Sequence, residues 1–286
     1  MFNVSGISID QLAESELDVL KVSNAYCDAV MSYQGAQVLE FYSKVKQQPL
    51  LWLSELNSYQ AGTAIRGGIP LCFPWFSAHS QHADFSAHGF ARNLKWKLVN
   101  VIESEAGHEI IFELRDSNVT RRYWDVAFKL SMHIYCGEKL QLMMQLSNLD
   151  TVDIEFSFAW HSYFPAKTEI AKISGLDNTT YIDQLNNNKV QNQFEQQIEF
   201  KSELDRIYPL TRGQFVLEQD TQHQIFIRST AKSAIIWNPW IDKSRRILDI
   251  RDDAWQDFVC IECGQIASEK VFLKVGEMIQ FELCIE

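Results

Sequence analysis

Two short segments far apart in the chain, Trp160-His161-Ser162 and Cys260-Ile261-Glu262, offer the chemistry of an acid–base pair. Each closes a run with the alternation of a β-strand. Along residues 151–161, Val152, Ile154, Phe156, Phe158 and Trp160 fall on one face; Asp153, Glu155, Ser157, Ala159 and His161 fall on the other. Along residues 258–263, Glu262 shares a face with Phe258 and Cys260 among neighbours that read as buried. An ionised carboxylate in such surroundings is costly unless it is partnered or functional. A histidine and a glutamate on two strands could take one proton from a substrate while giving it another. Beside a carboxylate, the histidine is expected to be charged.

Other segments have binding character. Residues 65–77 (IRGGIPLCFPWFS) set Arg66 in a loop stiffened by prolines and opened by glycines, where a guanidinium suits a phosphate. His79, His82 and His88 crowd one stretch, but their spacing matches no standard zinc pattern, so no metal is expected. His88 and Arg92 flank Gly89 and could face one cleft. Trp237-Asn238-Pro239-Trp240 offers aromatic surface and an amide, and Tyr181-Ile182-Asp183 ends a strand-like run with a carboxylate; both pairings suit sugars.

The elements that must position these groups read as strands. Residues 29–45 form a strand, a break at Gly35 and a second strand. Residues 96–102, 109–114, 127–135, 140–146, 154–160, 214–217, 224–227, 234–237, 258–261 and 278–285 continue the series. Helical periodicity appears only at residues 9–22, and the polar stretch 183–197 (DQLNNNKVQNQFEQQ) reads as a long surface loop. Many strands at short intervals without a fixed repeat predict an all-β fold, a large antiparallel β-sandwich, with residues 1–286 as one domain.

Composition agrees. The 286 residues are 46% hydrophobic and 12% aromatic, enough for a large core. A formal charge of −11 argues against a nucleic-acid or anionic-membrane surface. No apolar run approaches the roughly 20 residues of a membrane span, and the first residues (MFNVSGISIDQL) lack signal-peptide character. Of the six cysteines, most lie in apolar runs. Cys260 and Cys263 would point to opposite faces of one strand, so structural thiols and a cytoplasmic location are expected.

Taken in order, the motifs QGAQVLEF from Gln34, LLWLS from Leu50, RGGIPLCFPWF from Arg66, AHGFARNLKW from Ala87 and WHSYF from Trp160 resemble the aldose 1-epimerase (galactose mutarotase-like) superfamily. ISGLDNTTYID from Ile173, LDRIY from Leu204, WNPW from Trp237 and WQDFVCIECG from Trp255 continue the match, which is nearest to the hexose-6-phosphate mutarotase (glucose-6-phosphate 1-epimerase) branch. The resemblance implies a β-supersandwich with its site in a cleft on one sheet, no cofactor, and exchange of the α and β anomers of a hexose 6-phosphate. It implies His161 and Glu262 as catalytic residues, Arg66 and Arg92 at the 6-phosphate, His88 near the ring and Asp183 on sugar hydroxyls. Trp237 and Asn238 complete the expected binding set. A monomer acting on a small molecule is the corresponding expectation.

Two departures bear on pocket shape: Cys263-Gly264-Gln265 after the glutamate, and Trp240 after Asn238-Pro239. Three other readings have features to rest on. A neutral-aldose mutarotase shares the chemistry; a non-catalytic sugar-phosphate module would use Trp237, Trp240 and Arg66; and a metal-dependent isomerase of the double-stranded β-helix type would use the histidine cluster.

Overall fold

The computed structural model describes residues 4–12 and 15–286. Its strands are antiparallel. The first five run consecutively as a meander: Ile7–Gln11, Asp18–Ser23, Cys27–Ser32, Gln37–Ser43 and Gln48–Pro49. A nine-stranded sheet has Phe128–Cys136 and Leu140–Asn148 near its centre, the latter paired along its length with Met278–Ile285. The sheet that matters for chemistry runs, in spatial order, Lys189–Gln193, Thr179–Asp183, Leu204–Tyr208, Ser233–Asn238, Phe258–Gln265, Phe158–Trp160 and Leu71–Cys72. Tyr163–Pro165 also pairs with Phe258–Gln265.

Strand parity explains the layering. Val259, Ile261 and Cys263 join the same buried cluster as Phe112, Met132, Met144 and Leu283 of the nine-stranded sheet, forming the sandwich interior. Phe258 and Cys260 turn to the opposite face, into a smaller cluster with Tyr163, Ile235 and Trp237. Both faces of this strand are therefore covered, and Phe258 through Gly264 are all buried. Alternation along the two site segments therefore does not mark one wet face, because side chains pack on both sides of the sheet.

Most predicted strands are present within a residue or two, including the break at Gly35, whose φ is +77°. Three readings need correction. Residues 9–22 do not form a helix. Ile7–Gln11 and Asp18–Ser23 pair as a hairpin, with Ala13 and Glu14 outside the described residues. Val19, Leu20 and Val22 are buried by pairing with Cys27–Ser32, and that tertiary burial outweighs a weak local periodicity.

The stretch 183–197 is largely a hairpin, not a loop. Thr179–Asp183 pairs with Lys189–Gln193 across a turn in which Asn187 and Asn188 adopt φ of +54° and +57°. Lys189–Gln193 is a sheet edge, mostly in water, so its composition is polar although its backbone is paired. The run 154–160 is interrupted. Ile154–Phe156 pairs with Val271–Leu273 in a separate ribbon, and Phe158–Trp160 joins the site sheet after Ser157.

Candidate active site

The sheet register brings the acid–base pair together. Trp160 lies opposite Cys263 and Tyr163 opposite Cys260, and the same register carried through the intervening residues sets His161 opposite Glu262. His161 Nε2 lies 3.4 Å from Glu262 Oε1, with only 8% of the histidine and 2% of the glutamate exposed. The His161 N–H donates to the Pro70 carbonyl at 2.9 Å, and its ring stacks on Tyr163 at 4.8 Å and 7°. These contacts fix both the position and the tilt of the imidazole.

On the other side of Glu262 the register continues to Ile235, and the neighbouring row runs Tyr163, Cys260, Trp237 and Asp205. A cavity of 270 Å³ opens over these rows, lined by His161, Glu262, Arg66, His88, Trp237 and Asp205, with Ser77, Gln184 and Lys243 among its other polar walls. Larger cavities exist, one of 420 Å³ beside Pro49, Pro165 and His223. Chemistry rather than size marks the smaller one, since it joins a buried acid–base pair to two cationic side chains.

Burial sets the protonation of the pair. Desolvation holds the Glu262 carboxyl well above its ordinary range, with the Asp205 charge adding to the effect and Arg92 opposing it. Desolvation likewise pushes the His161 imidazole well down, helped by His88, Arg92 and Arg66. Among the described residues, neither Glu262 Oε2 nor His161 Nδ1 has a hydrogen-bond partner that would stabilise a charge. Burial therefore favours the neutral form of each group and opposes the charged pair expected from the sequence.

Arg66 is built in. Its Nε donates to both Asp249 oxygens at 3.1 Å and its Nη1 to the Tyr163 hydroxyl at 3.2 Å, leaving Nη2 without a hydrogen bond among the described residues. Gly68 lets the loop pass against the Val38 carbonyl; its φ of +62° and lack of a side chain are both required there. His88 sits at φ +68°, and its Nδ1 accepts the Ser77 N–H at 3.2 Å. Burial, with Arg92 and Arg66 nearby, pushes its pKa down to about 3, so it is neutral with its proton on Nε2.

The remaining expected residues separate. Trp237 lines the cavity, its ring edge-on to His161 at 5.9 Å. Arg92 is not among the lining residues; its Nη2 donates to the Ala87 carbonyl, and its Nε is buried without a partner. Asp183 points away by strand parity and is engaged by the Leu185 N–H and the Gln191 amide. Gln184 and Asp205 occupy the wall instead. Asn238 is fully buried and donates to the Trp255 and Phe258 carbonyls, a structural placement.

His79 and His82 lie against Phe85, with Trp75 beside His79, whereas His88 stands apart from them beside Phe76. Among the described residues no cluster of three or more His, Cys, Asp or Glu side chains could hold a metal ion. Asp205, Gln184 and Lys243 were not singled out in the sequence. Asp205 lay inside the quoted LDRIY motif, and its parity with Ile207 was the available signal; nothing local marked the other two.

The sequence model of the aldose 1-epimerase family matches residues 18–286. The chain belongs to the aldose 1-epimerase family. It is an isomerase with the all-β sandwich of that family. An Escherichia coli (strain K12) protein named "Putative glucose-6-phosphate 1-epimerase" is 32% identical over 252 residues, covering 86% of this chain and 83% of that one. The crystal structure of a "putative mutarotase" from Salmonella typhimurium superposes with a TM-score of 0.91 at 28% identity, covering 99% of this chain and 94% of the other. A galactose mutarotase-like protein from Lactobacillus casei shares the epimerase fold at 14% identity, with a TM-score of 0.75 over 94% of this chain and 99% of its own. Among the described residues no helix is long and apolar enough to cross a membrane.

Proposed function

We propose that this aldose 1-epimerase interconverts the α and β anomers of hexose 6-phosphates, glucose 6-phosphate first among them. The observation that carries the reading is the His161–Glu262 pair, 3.4 Å apart on the floor of a cavity whose wall holds Arg66. The names of the similar bacterial proteins support the phosphorylated substrate.

Near neutrality the pair carries one proton in total. Transfer from Glu262 to His161 gives the reactive form, a carboxylate beside an imidazolium. Glu262 removes the proton of the anomeric hydroxyl while His161 gives one to the ring oxygen. The bond between C1 and the ring oxygen breaks, leaving an aldehyde and a free C5 hydroxyl. Rotation about C1–C2 presents the other carbonyl face. On reclosure His161 takes the C5 hydroxyl proton, Glu262 protonates the carbonyl oxygen, and the pair returns to its starting state. General acid–base catalysis of this kind contributes about 10²–10⁴-fold per group. Arg66 Nη2 meets the phosphate remote from C1 and holds the ring in register.

Magnetisation-transfer NMR of glucose 6-phosphate tests this, comparing wild type with Glu262→Gln. Anomer exchange far above the buffer rate, lost in the variant, is the expected result. A folded wild-type protein that binds the sugar phosphate without accelerating exchange would instead identify a binding module.

A further inference from the structure

Lys243 enters the cavity from outside the sheet. It lies on the short helix Trp240–Ser244, whose start is fixed by a buried amide: Asn238 Nδ2 donates to the Trp255 and Phe258 carbonyls, while its Oδ1 accepts the Trp240 N–H at 2.9 Å. Trp240 takes φ +54° and packs its ring 4.2 Å from that of Trp255. Trp240 thus seats the helix. From there the Lys243 ammonium lies 2.8 Å from Glu203 Oε1, 3.5 Å from Asp205 Oδ2 and 5.7 Å from the centre of the Trp237 ring.

Asp205 is the cavity carboxylate this arrangement serves. It stands beside Trp237 in the register, and its Oδ1 accepts the Gln184 amide at 2.6 Å. The groups acting on its charge are Lys243 from the helix, Glu203 from the residue just before its own strand, and Glu262 and Cys260 from the strand beyond Trp237. Lys243 is the one cation among them. We propose that Lys243 is a positioning residue, holding Asp205 ionised and aimed over Trp237 so that the carboxylate can accept hydrogen bonds from sugar hydroxyls. Glu203 shares the ammonium and keeps it from moving onto the substrate phosphate.

The supporting chemistry has a definite sign. Burial raises the Asp205 carboxyl above its ordinary range, and Lys243 pulls it back. With Lys243 gone, Asp205 protonates at a higher pH and the cavity loses an acceptor as pH falls.

This inference rests on the proposed sugar-phosphate reading for its kinetic test, so a ligand-free measurement accompanies it. In substrate-free protein, ¹³C NMR of the Asp205 carboxyl should titrate at higher pH in Lys243→Met than in wild type, with Lys243→Arg restoring the wild-type curve. For glucose 6-phosphate, Lys243→Met should raise KM about tenfold or more on the acid side and less on the alkaline side, with kcat nearly unchanged. An unchanged Asp205 titration in folded Lys243→Met would overturn the proposal, as would a KM increase equal at every pH. Absence of wild-type exchange would sink the substrate assignment alone, and the carboxyl titration would still decide the role of Lys243.

Discussion

Burial disfavours the charged forms of both Glu262 and His161, and that has consequences beyond turnover. A carboxyl whose folded pKa lies above its ordinary 4.5 is ionised first in the unfolded chain, so it subtracts stability as pH rises past that value. An imidazole whose folded pKa lies below 6.5 subtracts stability as pH falls past it. Glu262→Gln should therefore raise Tm at neutral pH, by about 2–4 °C for each kcal/mol recovered, while abolishing exchange. The gain should vanish in acid, and calorimetry at two pH values checks it. The same shifts predict a broad pH–rate plateau. Activity falls on the acid side when His161 takes a second proton and on the alkaline side when Glu262 loses its own. A sharp optimum at the ordinary imidazole pKa would contradict this protonation scheme.

At the scale of elements, the contact between the proposed catalytic residues is a matter of strand register. Gly264 lies between Ala159 and Ser233, and a Cβ there would collide with the Phe158 carbonyl. Gly264→Ala should force apart the two strands that carry His161 and Glu262, costing about 1–3 kcal/mol in urea denaturation. It should also lower kcat although neither acid–base group is altered. The Gly67-Gly68 turn plays the corresponding part for the preceding Arg66, whose backbone N–H is tied to Asn57 and whose side chain is tied to Asp249. Arg66→Ala should raise KM for glucose 6-phosphate about 10–100-fold, the range for a lost charged hydrogen bond, with kcat much less affected.

Over the whole molecule, a net charge of −11 surrounds a cavity whose walls include Arg66 and Lys243, with Arg92 close by. The proposed dianionic substrate would be attracted locally against an unfavourable background, and both contributions are screened by salt. The local attraction is the one partly shielded from solvent, so salt weakens mainly the repulsion, and KM for glucose 6-phosphate should fall with ionic strength while that for neutral glucose stays flat. Steady-state measurements on the two sugars at several salt concentrations compare them directly. Equal turnover of both sugars would move the assignment to the neutral-aldose branch.

Period-two alternation made most strands readable in the chain, and the order of motifs made the family readable, because both are local records of burial and chemistry. His161 and Glu262 could be nominated for the same reason: a titratable group beside a buried run stands out wherever it lies. Their contact could not, since it depends on the pairing of two strands about a hundred positions apart. Parity explains the exchange of Asp183 for Gln184 and Asp205, because a shift of one residue reverses the face and only neighbouring strands reveal which face is the cavity. The edge hairpin looked like a loop because its side chains meet water while its backbone meets a partner. Residue types and their order determined the family, the strands and the acid–base candidates. The tertiary structure decided which faces met, which carboxylate reached the cavity and which titratable groups lost their hydration, because register and desolvation arise only when distant strands come together.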